Sequence, residues 1–227
     1  MFRRWFLLNI FDIIGPVMIG PSSSHTAGAV RLGNLARHIL GEEPKKARII
    51  LYNSFASTGK GHGTDRALVA GILGFLPDDE RIRTSFEEAK KAGLEYELVD
   101  GGSKEKLHPN TAEFFLEGPE NTTRVVGASV GGGRVMVSSI DGFKTEFSGE
   151  YHTVITIHKD IPGIISSVTS CLSKKNINIA QMRVFRESRG EKALMIIEAD
   201  EILPEGIKEE LERINGIFRA MNISPVY

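Results

Sequence analysis

Residues 151–223 switch between two hydrophobic periods in an order that very few folds satisfy. "YHTVITIHKD" (151–160) alternates as a strand, and "IPGIISSVTSCLSKKN" (161–176) has helical spacing. "INIAQMRVFRES" (177–188) and "EKALMIIEAD" (191–200) read as a hairpin turned around Arg189-Gly190. "PEGIKEELERI" (204–214) is a second helix and "GIFRAMNI" (216–223) a last strand. The sum is βαββαβ, the ferredoxin-like arrangement. Gly149-Glu150 is the natural boundary, so the chain divides into 1–149 and 150–227.

The first unit opens with helix, not hairpin. From Ala27 to Leu40 the residues Leu32, Leu35, Ala36 and Ile39 share one helical face, with Ser24, His25 and Thr26 where an N-cap belongs. "ARIILY" (47–52) is a buried strand. The polar, glycine-dense "NSFASTGKGHGTD" (53–65) reads as a loop, and "DRALVAGILGFL" (65–76) as a buried helix capped by Thr64 or Asp65. "TSFEEAKKAG" (84–93) carries a capping box, Thr84 with Glu87, an i,i+4 pair Glu87/Lys91, and Gly93 as its stop. "EYELV", "RVVGASV", "RVMVSSI" and "KTEF" then follow as strands separated by glycine turns, including Asp141-Gly142. Mixed helix and strand followed by hairpins predicts an α+β fold, not a doubly wound sheet.

A formal net charge of -1 gives the molecule no general attraction to nucleic acid or an anionic membrane. Cys171 is the only cysteine. An internal disulfide is excluded, a reducing and therefore cytoplasmic setting is expected, and one thiolate cannot hold an iron–sulfur cluster. Neither an H-E-x-x-H nor a zinc-type spacing is present, so no metal site is expected. The opening "MFRRWFLLNIF" puts two arginines before a short apolar run, and Ala27-Gly28-Ala29 resembles an export cleavage site. Asp12 interrupts the run, however, and such cleavage would discard the serines at 22–24; the expectation is a first helix or strand packed on the body. No apolar segment is long enough for a membrane span.

Three polar stretches carry the candidate chemistry. Ser22, Ser23, Ser24, His25 and Thr26 stand at the start of a helix, where free amides and hydroxyl donors suit a carboxylate or phosphate. A single capping serine would explain one hydroxyl, but not the run. "TGKGHGTD" (58–65) is not a P-loop, since Ser54 and Gly61 stand where that motif needs Gly and Ser/Thr. It presents Lys60, His62 and Thr64 beside a helix mouth, and Lys and His both suit proton transfer. "HPNT" (108–111) adds His108 and Asn110, which are also ordinary turn residues.

The C-terminal unit resembles an ACT domain, on its βαββαβ order with "KDIPGI" after the first strand and "NINI" opening the second. That resemblance implies an amino-acid site at a subunit interface, formed by Asp160, Gly163 and Asn178. Gly163 opens a helix whose amide can face a carboxylate, and Asp160 suits an ammonium; capping alone is the simpler use of both. Many such modules only self-associate.

"GPSSSHTAGAVRLGNLAR", "LYNSFASTGKGHGTDRALVAGILG" and "HPNT", in order and before an ACT-like end, resemble the beta subunit of bacterial iron–sulfur-dependent L-serine dehydratase. The resemblance implies a separate alpha subunit bearing the cysteines and a [4Fe–4S] cluster, and conversion of L-serine to pyruvate and ammonia. Fused relatives would carry the cysteine-bearing half after this one. His62, Lys60 and His25 become catalytic candidates, with Ser22, Ser23, Ser24, Thr26, Thr64, His108 and Asn110 near the substrate. The first unit also resembles the domain that binds an anion allosterically before the ACT end of bacterial phosphoglycerate dehydrogenases. This sustains a second expectation, a regulatory amino-acid or anion sensor without catalytic residues. The dehydrogenase's own nicotinamide fingerprint, G-x-G-x-x-G, is absent.

Overall fold

The computed structural model describes residues 16–227, apart from the side chain of Lys60. The helix or strand expected in "MFRRWFLLNIF" lies outside the described residues. A single π-helical turn, Ser23–Ala27, leads into α1 (Gly28–Leu40), whose buried face includes the expected Leu32, Leu35, Ala36 and Ile39. Strand β1 (Lys46–Leu51), helices α2 (Ser54–His62) and α3 (Thr64–Ile72), a 3₁₀ turn (Glu80–Thr84) and α4 (Ser85–Lys91) follow. Strands β2 (Glu95–Asp100), β3 (Thr111–Glu117), β4 (Thr122–Gly131), β5 (Arg134–Ile140) and β6 (Phe143–Phe147) complete a six-stranded sheet. Its order is β2-β1-β3-β4-β5-β6; β1 and β2 run parallel across the helical crossover and the other pairs are antiparallel.

Helices α1 and α3 cross in backbone contact because glycines meet at the crossing. A Cβ at Gly33 would lie 2.5 Å from the Leu68 carbonyl oxygen, and one at Gly71 would strike the Val30 carbonyl. The π-helical turn at the head of α1 touches both α2 and α3 at one edge of the first unit.

The second sheet is built from β7 (His152–Lys159), β8 (Ile179–Arg186), β9 (Lys192–Ala199) and β10 (Ile217–Ile223), in the order β10-β7-β9-β8. Helices α5 (Ile164–Ser173) and α6 (Ile207–Glu212) connect them in the expected βαββαβ sequence. One face of this sheet packs Val154, Met195 and Ile197 against Val168 and Leu172 of α5 and Leu211 of α6. The opposite face sends Ile155, Leu194, Ile196, Met221 and Ile223 into the core of the first unit. Both faces are thus buried, which is why "ALMIIEA" reads as a continuous apolar run. The architecture is α+β, as expected.

Several local expectations give way. The supposed loop at 53–65 is mostly helix α2, in spite of its glycines. Phe55, fully buried, anchors it, and Gly59 lies against Leu51, so tertiary contact outweighs the poor helix propensity. Gly63 (φ 69°), not Thr64 or Asp65, precedes α3, because only a left-handed residue lets α2 end and α3 begin at once. Thr84 does not form a capping box; its hydroxyl turns back to the Arg81 carbonyl. Lys91 pairs with Glu88, not Glu87. Strand β3 was not expected from its sequence, since Glu113 breaks the apolar pattern. In the fold this buried carboxylate accepts from Tyr52 Oη and Arg124 Nε, both at 2.7 Å.

Candidate active site

The cluster at 22–26 is organised by its first serine. Ser22 is extended, and its Oγ accepts from the His25 amide at 3.2 Å, so it is the cap in place of Ser24, His25 or Thr26. The wide π turn that follows points His25 toward α2. There His25 Nε2 lies 3.2 Å from Ser54 Oγ and 3.1 Å from Thr58 Oγ1, while Nδ1 is 3.3 Å from Ser24 Oγ. The ring meets Phe55 edge-on, and its centroid is 4.9 Å from that of His62.

Counting protons assigns both tautomers. The Thr58 hydroxyl donates its one proton to the Ser54 carbonyl at 2.8 Å, so Thr58 Oγ1 accepts from His25 Nε2–H. In neutral His25 the Nδ1 is then the acceptor for Ser24 Oγ–H. His62 Nδ1 lies 3.1 Å from the Thr58 carbonyl oxygen, which has no proton to give, so Nδ1–H donates. In neutral His62 the Nε2 lone pair is left without a hydrogen-bond partner among the described residues. Burial, and then the neighbouring His62, push the pKa of His25 below its ordinary value, so His25 favours the neutral form.

The third motif braces this arrangement. Pro109 O accepts from the Ser54 amide at 2.8 Å. Asn53 (φ 53°) takes the Lys104 amide on Oδ1 at 2.7 Å and donates Nδ2 to the carbonyls of Lys104, Leu107 and His108. His108 spends Nδ1 on the Asn110 amide, and Asn110 O accepts from the Ser129 amide. Burial lowers the His108 pKa. His108 and Asn110 therefore hold the turn that holds α2. Lys60 sits in α2, but its side chain lies outside the described residues.

Among the described residues, three buried hydroxyls have no partner: those of Thr26, Thr64 and Ser129. Thr64 packs against Gly59, and Ser129 sits so close to α1 that a Cβ on Gly28 would come within 2.8 Å of its Cβ. A cleft of about 300 Å³ lies between Gly20-Pro21 and Gly61-Gly63, with Thr26 and His62 in its wall. Ser54, Thr58, Asn53 and Ser129 were missed by reading the sequence. Ser54 and Thr58 were detectable as an i,i+4 pair had the stretch been taken as helical. Ser129, within a strand, gave no signal.

The C-terminal candidates are not brought together within one chain. Asp160 Oδ2 accepts from the Gly190 amide at 3.1 Å, and its Oδ1 lies 3.4 Å from Arg186 Nη2. Gly163 (φ 94°) precedes α5 near that end of the sheet. Asn178 lies at the other end, where its Nδ2 donates to Asp200 Oδ2 at 2.6 Å. The β7/β9 ladder separates them, Lys159 facing Lys192 at one end and His152 facing Ala199 at the other.

Among the described residues, no group of His, Cys, Asp and Glu is placed to hold a metal ion. Cys171 is buried on α5, donates to Glu210 Oε1, and has its thiol pKa raised chiefly by burial. No helix among the described residues is long and apolar enough to cross a membrane.

Residues 9–139 match the serine dehydratase beta chain family and residues 152–216 match the ACT domain family. The chain is 41% identical over 218 residues to the "Probable L-serine dehydratase, beta chain" of Bacillus subtilis, covering 95% of this chain and 98% of that one. It is 41% identical over 204 residues to the "L-serine dehydratase, beta chain" of Peptoniphilus asaccharolyticus, covering 89% and 92%. D-3-phosphoglycerate dehydrogenase of Synechocystis is 26% identical over 200 residues, covering 86% of this chain but 35% of that protein.

Proposed function

The chain belongs to the serine dehydratase beta chain family, and from that premise we propose that it works with an alpha subunit to convert L-serine to pyruvate and ammonia. The observation that carries the reading is the open Nε2 of His62, in a cleft wall beside the neutral, doubly anchored His25. Removing the weakly acidic α-proton of an amino acid needs a base whose lone pair faces the substrate while hydroxyl donors hold the polar groups. His62 Nε2 is that base. His25 holds Ser24, Ser54 and Thr58 in register, Ser22 caps its turn, and Thr26 shares the cleft wall with His62. Loss of the α-proton and the β-hydroxyl leaves aminoacrylate, which rearranges to an imine and hydrolyses.

The [4Fe–4S] cluster that the reading calls for does not fit this chain. Its one thiol is buried and committed to Glu210, away from His25 and His62. The cluster is assigned to the cysteine-bearing alpha subunit, and the division of this chain at Gly149-Glu150 leaves 1–149 to face that partner in the cytoplasm. Residues 150–227 form the self-associating, amino-acid-sensing end. A second copy across the β8 edge, where Met182 and Val184 are exposed, would supply the Asn178 that Asp160 and Gly163 lack in one chain. The test is anaerobic co-expression with the alpha subunit, followed by measurement of pyruvate from L-serine. Turnover by the pair and none by either chain supports the reading. A pair that binds L-serine, carries its cluster and makes no pyruvate would leave a sensor, the role favoured by the likeness to the dehydrogenase.

A further inference from the structure

We propose that the cleft beside His62 is a carboxylate subsite, with Arg66 and Arg83 as the groups that hold the anion. The inference deepens the dehydratase reading and rests on it for the identity of the substrate. Both arginines line the cleft, Arg66 from the first turn of α3 and Arg83 from the 3₁₀ turn ahead of α4. Neither forms an ion pair among the described residues. By contrast Arg81, on the same turn as Arg83, is clamped to Asp79, and on the sheet Arg48 pairs with Glu97 and Arg124 with Glu113. Asp65, in the first turn of α3, accepts the Arg66 backbone amide on Oδ1 and forms no ion pair with either guanidinium among the described residues.

Two guanidiniums with no ion-pair partner among the described residues, that of Arg66 lying over the Phe86 ring, line one small cleft beside the N-terminal end of α3, and an anion there would meet both. An independent feature marks the opposite wall. Thr26 is 2% exposed and lines the cleft, yet its hydroxyl has no partner among the described residues, and a buried hydroxyl is costly to leave unsatisfied. At about 300 Å³ the cleft has room for a compact carboxylate. With the carboxylate on the arginines, the remainder of a small amino acid lies along the wall formed by His62.

Two measurements separate this subsite from the reading beneath it. In the reconstituted enzyme, Arg66→Gln and Arg83→Gln should each raise KM for L-serine by about tenfold or more while kcat changes little, the signature of lost uniform binding. Arg81→Gln, which removes the same charge from the same turn, should leave both constants unchanged. In the full chain alone, propionate and L-serine should shift the His62 imidazole NMR signals saturably, and the double Arg66→Gln/Arg83→Gln variant should lose that response. Inorganic phosphate producing the same shift with no response to either carboxylate would overturn the proposal, as would unchanged KM in both single variants. A complex without dehydratase activity whose chain still shows the carboxylate shift would sink the dehydratase reading and leave the subsite standing.

Discussion

At the scale of single residues, the two histidines of the site do different work, and substitution should separate them. His62 keeps an open Nε2, so His62→Asn should lower kcat of the reconstituted enzyme by about a hundredfold or more. Thr58→Val removes the nearer of the two hydroxyl oxygens at His25 Nε2, leaving Ser54 Oγ, and keeps the backbone carbonyl that orients His62. Its loss should be smaller, about tenfold in kcat/KM, and wild-type kinetics for Thr58→Val would show that His25 needs no such anchor. A second residue-scale effect concerns pH. Burial is the leading cause that lowers the pKa of His25, His38, His108 and His158 below their ordinary value of 6.5. Between the folded and unfolded pKa values the unfolded chain binds more protons, so this contribution to stability is complete above pH 6.5 and is lost as pH falls. The melting temperature should therefore drop between about pH 7 and about pH 5; a flat profile would contradict the assignment.

At the scale of elements, two helical glycines predict opposite outcomes. Gly71 sits where α3 touches α1, and an added Cβ would strike the Val30 carbonyl, a backbone atom that cannot swing aside. Gly71→Ala should cost about 1–3 kcal/mol by overpacking. Gly59, inside α2, would place its Cβ 3.5 Å from Leu51 and Thr64 carbons, an ordinary contact. Gly59→Ala should gain about 0.5–1 kcal/mol from lower chain entropy in the unfolded state. Chemical denaturation of both variants checks the pair, and a stabilising Gly71→Ala would mean the helices do not cross so closely. Helix α2 also shows where local reading fails. "SFASTGKGH" has the composition of a loop, and only Phe55 in the core, with the Ser54 amide on Pro109 O, makes it a helix.

At the scale of the whole molecule, the ferredoxin-like sheet is not an independent bead. Its inner face shares a core with the first unit, and Arg219 of β10 donates to the carbonyls of Ile39 and Leu40, ending α1 with a cation from the other sheet. The C-terminus adds a second tie, with Tyr227 Oη accepting from the Val135 amide and its ring under Arg31. Residues 150–227 expressed alone should therefore expose Ile155, Leu194, Ile196, Met221 and Ile223, bind a hydrophobic dye and aggregate. A soluble, dye-silent segment would show that the inner face finds its own cover. Because α1 carries the His25 turn at one end and meets Arg219 at the other, the two units are joined through the helix that bears the site.

Period and turn chemistry are local properties, and what depends on them was legible in the chain itself: the βαββαβ order, the helical face of Leu32 and Ile39, the Asp141-Gly142 hairpin and the α+β class. The three polar motifs were legible as well, and it was their resemblance to a known family that implied a cysteine-bearing partner, with which the single cysteine is consistent. What the tertiary structure alone decided is which partners those residues meet. Ser54, Thr58 and Ser129 reach the site only because β3 and β4 bring "HPNT" and Ser129 up to α1 and α2. The buried Glu113 is tolerable only beside Tyr52 and Arg124, from other strands. Asp160 and Asn178 look like neighbours in a motif, yet one ladder sets them at opposite ends. Contacts of this kind join residues far apart in the chain, and no local pattern encodes a distance that depends on how two sheets and a helix pack.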